Sequence, residues 1–321
     1  MGKYPISREL FPFSLFIPPI NEKFLKLAAA NMRVPKRFLN AKGVEVTKHT
    51  VSGCDGAAVD YYVVTPDGIQ PKASCLFYIH GGGFVLKAAG YHYRNCLRYA
   101  KEADCIVFFP DYRLAPEHPF PTFYEDCYSV FCDIYEKAEE YGIDKSRIGL
   151  GGDSAGSTLA AGLCMMAHER RHPVKFVFQM LPYPYLDARN NSESCRKYTD
   201  TPMWNSKLSE RITPMTNVDR NDPSYVWYSP VETDDFSIFP PTYIETAEFD
   251  CLHDDGILFA EELKSAGIAV ELNETKGTMH GYDIMRKASV SLASMEQRIA
   301  FMKGHFEQRA ESDGSKKSFI Q

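Results

Sequence analysis

The sequence predicts an α/β fold in which helices flank a mostly parallel sheet of eight strands. Three observations carry this. Short β-rich runs alternate with helical stretches from about residue 44 onward. The middle runs, Cys75-Leu76-Phe77-Tyr78-Ile79 and Ile106-Val107-Phe108-Phe109, are continuously apolar, as strands covered on both faces are. Hydrophobic residues make up 44% and charged residues 24% of 321 residues, ordinary globular usage with enough apolar surface for a sizeable core. Global disorder is excluded. At roughly 150 residues per domain the length allows two units, but one large α/β unit also accounts for it.

Taken in order, residues 10–20 are apolar but interrupted by Pro12, Pro18 and Pro19, with Glu22, Lys23 and Lys26 before Ala28-Ala29-Ala30. This reads as an extended arm and then an amphipathic helix burying Phe24, Leu25, Leu27 and Ala28, rather than as a cleaved leader. Strands are expected at 44–51, 59–65, 74–80, 105–109, 147–151, 175–181, 242–246 and 269–273. The first two are joined by a short turn at Ser52–Gly56, which predicts an antiparallel hairpin at the sheet edge. Helices are expected at 90–103, 122–141, 155–170, 255–266 and 283–306. In the last, Ile284, Ala288, Leu292, Met295, Ile299, Met302 and Phe306 recur every three or four residues on one apolar face. Such alternation argues for right-handed βαβ crossovers around one sheet. Residues 186–238 are rich in Asn, Asp, Ser, Thr and Pro with interspersed aromatics. A structureless loop of that length is unusual, so it should fold over one end of the sheet. The polar tail at 311–321 should fray.

Several function classes drop out. A net charge of -6 gives no electrostatic footprint for phosphate backbones, so nucleic acid is not an expected partner. Nine cysteines, odd in number and without a C-x-x-C pair, read as reduced thiols of a cytoplasmic protein, some of them buried hydrophobes (Cys75, Cys105, Cys164). No run approaches 18 apolar residues, so no membrane span is expected.

The chemistry concentrates in two glycine-rich motifs. Gly152-Asp153-Ser154-Ala155-Gly156 matches G-x-S-x-G between a strand and a small-residue helix. A serine at so sharp a turn holds strained backbone angles, and glycines on either side remove side chains that would clash. The amide of Ala155 at the helix N-terminus then faces developing negative charge. His80-Gly81-Gly82-Gly83 ends the third strand with bare amides able to approach a substrate oxygen. No G-K-[ST] follows, which excludes a P-loop. His80 reads as an anchor of this loop, since a general base must reach the nucleophile directly.

On such a sheet the acid and base follow the serine in the order Ser, Asp/Glu, His. Asp250 and His280 lie just beyond two later strands, at the same carboxyl edge as Ser154. Asp254 and Asp255 read as caps of the helix that follows, and Glu248 as a weaker candidate acid. His49, His168, His172, His253 and His305 read as surface residues. His253 with Asp254 and Asp255 has no second ligand cluster at metal-binding spacing, so neither metal nor cofactor is expected.

At this point the chain resembles the hormone-sensitive-lipase family of α/β-hydrolases, the group of bacterial carboxylesterases that includes acetyl esterases. The matching segments are His80–Phe84, Asp111–Pro121, Gly151–Gly156, Asp250 and His280-Gly281, in family order over roughly residues 40–308. The family's acid usually sits in Asp-Pro-Leu-x-Asp-Glu-Gly; here Cys251 replaces the proline and leaves the acid in place. The resemblance implies an α/β-hydrolase fold with a helical cap. The catalytic core would be 41–185 and 239–310, and the cap 1–40 and 186–238. It implies Ser154 as nucleophile, His280 as base and Asp250 as the residue orienting it. Amides of Gly81, Gly82 or Gly83, with Ala155, would form the oxyanion hole. The segment 112–121 would brace the glycine loop. Phe84, Tyr183 and Tyr185 are candidates to line a narrow apolar pocket, although each could equally be core.

The implied activity is hydrolysis of short- to medium-chain carboxylic esters through an acyl-enzyme, with a small-molecule ester as partner; homo-oligomers are compatible with the sequence. A reaction that needs neutral imidazole should slow as pH falls through roughly 6–7. No tract reads as a lipid-interface lid, which favours soluble esters. The rivals are an amidase or peptidase using the same three residues and a non-catalytic small-molecule receptor. The former lacks a visible site for an amine leaving group, and the latter usually loses a triad member.

Overall fold

The computed structural model describes residues 3–19 and 21–318. Eight strands form one sheet: β1 (Val44–Ser52), β2 (Ala58–Pro66), β3 (Ala73–Ile79), β4 (Cys105–Asp111), β5 (Ile143–Gly152), β6 (Gln179–Pro182), β7 (Thr242–Phe249) and β8 (Val270–Met279). Their order is β1-β2-β4-β3-β5-β6-β7-β8. β1 and β2 form the expected antiparallel edge pair and β2 runs antiparallel to β4; every later pairing is parallel. The helices are α1 (Glu22–Asn31), α2 (Lys36–Leu39), α3 (Gly90–Glu102), α4 (Thr122–Glu136), α5 (Ala155–Glu169), α6 (Glu193–Lys197), α7 (Ser206–Thr216), α8 (Tyr225–Tyr228), α9 (His253–Ser265) and α10 (Ser289–Ser318).

Strand alternation divides the core into two layers. Cys75, Phe77, Ile106 and Phe108 meet Phe123 and Val130 of α4, Leu159 and Met166 of α5 and Phe259 of α9. Leu76, Tyr78, Val107 and Phe109 meet Cys96 and Tyr99 of α3 and Met295 and Met302 of α10. With both faces covered, the central strands carry no polar face. All nine cysteines are free thiols, and Cys75, Cys105 and Cys164 are buried.

Several expectations are corrected. β6 covers only Gln179–Pro182, although Val177 and Phe178 already hydrogen-bond through their backbone to Ile148 and Leu150 of β5; the Phe178 ring lies across Gly149, where an added Cβ would meet its Cζ at 2.2 Å. The final helix starts at Ser289, not 283; Gly281 takes a left-handed φ of 64° and Tyr282–Ile284 form a short 3-10 turn. Its buried face includes Ser291, Ser294 and Arg298, while Leu292 is exposed. Of the tail expected to fray at 311–321, residues 311–318 continue this helix, and 319–321 lie outside the described residues. Among the described side chains of α1 only Leu25 is buried; Phe24 and Ala28 are half-buried and Leu27 faces out. Asp254 and Asp255 lie inside α9 and do not cap it. Asp254 accepts from the Ser194 amide at 2.7 Å, and buried Asp255 accepts from the amides of Leu186 and Asp187, both at 3.2 Å. They tie the start of the 186–238 insertion to α9.

Candidate active site

The turn between β5 and α5 holds Ser154 at φ 55°, ψ -124°, a region that costs a non-glycine residue of order 1–3 kcal/mol. The neighbours make it possible. A Cβ on Gly152 would stand 2.2 Å from the carbonyl oxygen of Gly156, and one on Gly156 would stand 2.2 Å from that of Ile79. No side chain fits at either position. The Ser154 amide donates to Pro182 at 3.0 Å, which fixes the turn against the end of β6.

Two loops from the same edge reach the hydroxyl. His280, just beyond β8, places Nε2 at 2.8 Å from Ser154 Oγ, and its Nδ1 lies 2.6 Å from Asp250 Oδ2. An ionised carboxylate only accepts, so Nδ1 carries the proton and Nε2 is left to accept from the serine. Asp250 is fully buried, and its other oxygen accepts from the Leu252 amide at 3.0 Å. Glu248, the weaker candidate acid, accepts instead from the Gly277 amide at 2.7 Å. The structure thus brings together Ser154, Asp250 and His280, residues distant along the chain.

The glycine loop lies beside this turn. Of the expected donors, Gly81 is turned away: its amide donates to Asp153 Oδ1 at 3.4 Å. The amides of Gly82, Gly83 and Ala155 have no protein acceptor among the described residues. Gly82 adopts φ 125°, and a Cβ there would stand 2.6 Å from the Leu86 carbonyl oxygen. Gly82→Ala is therefore expected to displace these amides and lower kcat by roughly 10²–10³-fold, with a much smaller effect on KM. Steady-state kinetics on p-nitrophenyl acetate measure this; an unchanged kcat would mean the loop does not hold the oxyanion.

A buried carboxylate joins the loop to the nucleophile turn. Asp153, fully buried, accepts from Tyr78 Oη at 2.7 Å, Tyr91 Oη at 3.0 Å and His92 Nε2 at 3.0 Å, besides the Gly81 amide. Burial alone would raise its pKa; the His92 ring and the two tyrosine hydroxyls outweigh that and hold it below the ordinary carboxylate range. His80 anchors the loop from below. Its Nδ1 lies 2.7 Å from the Gly81 carbonyl, and its ring stacks on Tyr112 at 4.4 Å. Tyr112 Oη donates to the His80 carbonyl at 2.7 Å. Burial pushes the imidazole down to about 3, so it stays neutral and far from base duty.

A cleft of about 300 Å³, counted to its open mouth, lies over Ser154. Gly83, Phe84, Ala155, Tyr185 and Leu252 line it, together with Trp204, Ser209, Ile212, Thr213 and Tyr228 from the insertion. Tyr183, proposed as a lining residue, is not among them. Its hydroxyl donates to Asp283 at 2.7 Å and its ring meets His280 edge-on at 5.0 Å; it backs the histidine instead. Asp283 in turn accepts from Arg298 Nη1 at 2.8 Å. Arg298 is fully buried and also donates to both carboxylate oxygens of Glu245. Sequence periodicity hid this arginine on the apolar face of α10.

A serine, an imidazole and a carboxylate in line, with unpaired amides beside the hydroxyl, on an eight-stranded α/β sheet, define a serine hydrolase of the α/β type. The chain belongs to the alpha/beta hydrolase fold family, which matches residues 76–284, and within it to the hormone-sensitive-lipase type of carboxylic ester hydrolases. It is 34% identical over 233 residues to Esterase LipI of Mycobacterium tuberculosis, covering 72% of each chain. It is 33% identical over 256 residues to Carboxylesterase NlhH of the same organism, covering 78% of this chain and 79% of that one. The solved structure of a bacterial heroin esterase superposes with a TM-score of 0.79 at 33% identity, over 88% of this chain and 90% of that chain. Among the described residues no helix is long and apolar enough to cross a membrane, and no three His, Cys, Asp or Glu side chains converge as a metal-ligand set.

Proposed function

We propose that this chain hydrolyses short- to medium-chain carboxylic esters by two-step acyl transfer. His280 takes the proton from Ser154 as the hydroxyl attacks the ester carbonyl. Asp250 holds the imidazole in the required tautomer. The oxyanion rests on the amides of Gly82, Gly83 and Ala155. The alcohol departs with the proton from His280, and water repeats the attack on the acyl-enzyme. The observation that carries this reading is the 2.8 Å contact between Ser154 Oγ and His280 Nε2 at the floor of a cleft walled by Phe84, Tyr185, Trp204 and Tyr228.

Ring walls leave little room for a long acyl chain, which supports the short end of the range. A Cβ on Gly83 would already stand 2.7 Å from Trp204 Cη2. A p-nitrophenyl ester series from acetyl to decanoyl is the test. kcat/KM should peak at the short members and fall by roughly 10–200-fold towards the long ones, the range that small misfits in an apolar pocket produce. Trp204→Ala should move the peak to longer chains. A rate that climbs steadily to decanoyl in the parent enzyme would exclude this pocket as the acyl site, and cleavage of the matching p-nitroanilide at comparable rate would favour an amidase.

A further inference from the structure

We propose that the N-terminal arm, residues 11–19 and 21–39, is a docking surface for an anionic lipid interface. Two independent distributions point there. Among the described residues seven large hydrophobic side chains are exposed, and six of them, Phe11, Leu15, Phe16, Ile17, Leu27 and Leu39, lie on this arm. Leu15 is the most exposed, at 69%, followed by Phe11 and Leu27, both at 62%. Scattered exposed leucines are normal on a protein surface; their collection on one short segment is not. Charge has the same address. Residues 11–39 carry five Lys and Arg against one Glu, a surplus of +4 in a chain whose net charge is -6.

Exposed apolar side chains amid cations fit the boundary between anionic headgroups and acyl chains, where each class of residue finds its own solvent. A second copy of the chain fits less well, because two such arms face to face would bring like charges together. Lys23, Arg33, Lys36 and Arg37 are all exposed, and Arg37 Nη2 approaches Gly90 beside Arg94 Nη1, which extends the cationic rim onto α3. The arm also borders the cleft: the Phe16 carbonyl accepts from the Met203 amide at 2.6 Å, next to Trp204. An enzyme docked this way would present its cleft beside the interface.

Sedimentation of the full-length Ser154→Ala protein with phosphatidylglycerol–phosphatidylcholine vesicles, and with phosphatidylcholine alone, tests this without reference to ester cleavage. Binding to the anionic vesicles alone is expected, weakened as added salt shortens the screening length. Leu15→Ser/Leu27→Ser should abolish it. Lys23→Glu/Arg33→Glu should weaken it by roughly tenfold or more. The same pairs in the Ser154 background should keep the parent's kcat/KM on p-nitrophenyl acetate, which shows the fold intact. Failure to bind anionic vesicles would overturn the proposal, as would equal binding to neutral ones or indifference to both pairs of substitutions. A dimer that Leu15→Ser/Leu27→Ser dissociates would assign the arm to self-association instead.

Discussion

Alanine at position 154 is expected to lower kcat on p-nitrophenyl acetate by roughly 10⁴–10⁶-fold while leaving the fold in place. The size follows from the roles proposed above. Without Oγ there is no atom to form the acyl-enzyme, and what survives is attack by water on a carbonyl polarised by the remaining amides. The fold should tolerate the change. Alanine inherits the same φ of 55° with no larger side chain to place, and Gly152 and Gly156 still leave the turn its space. The single and double losses should not add: Ser154→Ala/His280→Ala is expected to be no slower than Ser154→Ala alone, because a base without its nucleophile does nothing. Single-turnover and steady-state kinetics on the purified variants, with circular dichroism as the control on folding, measure both statements. A Ser154→Ala enzyme within tenfold of the parent would place the nucleophile elsewhere.

The residues that carry strong local signals were readable before the structure. Ser154 announces itself because the strained turn demands glycines at fixed offsets. Asp250 and His280 follow from chain order and strand ends. What could not be read depends on long-range contacts. Gly81, Gly82 and Gly83 are equivalent in sequence, and only the position of Asp153 in space shows that the first amide is already engaged. Tyr183 and Tyr185 alternate along one segment, yet one faces the cleft and the other backs His280. His92, which holds Asp153 from α3, gave no sequence signal at all. The central strands were plain because burial on both faces writes a continuous apolar run. The start of α10 was not, because the left-handed Gly281 and the short turn after it set it through backbone conformation rather than periodicity.

The largest stability effect is expected from Arg298→Met. This guanidinium is fully buried between Glu245 and Asp283, themselves buried. Burial opposes its charge, and the facing carboxylates more than compensate. Methionine fills similar volume but leaves both carboxylates without their cation, and breaking a buried pair in this way costs about 3–5 kcal/mol. Urea unfolding should show that loss as a lower midpoint at unchanged slope. A second consequence separates this network from ordinary core. Asp283 accepts from both Arg298 and Tyr183, and the Tyr183 ring packs against His280, so kcat should fall in the folded variant as well. Neutralising the orphaned acids in Arg298→Met/Glu245→Gln/Asp283→Asn should recover much of the stability, since removing every charge of a buried cluster is often nearly neutral. It should recover less of kcat, because an amide at 283 only partly replaces the carboxylate that holds the tyrosine hydroxyl. An Arg298→Met protein as stable as the parent would mean that water reaches Glu245 and Asp283, and that their burial behind His280 is not maintained in solution.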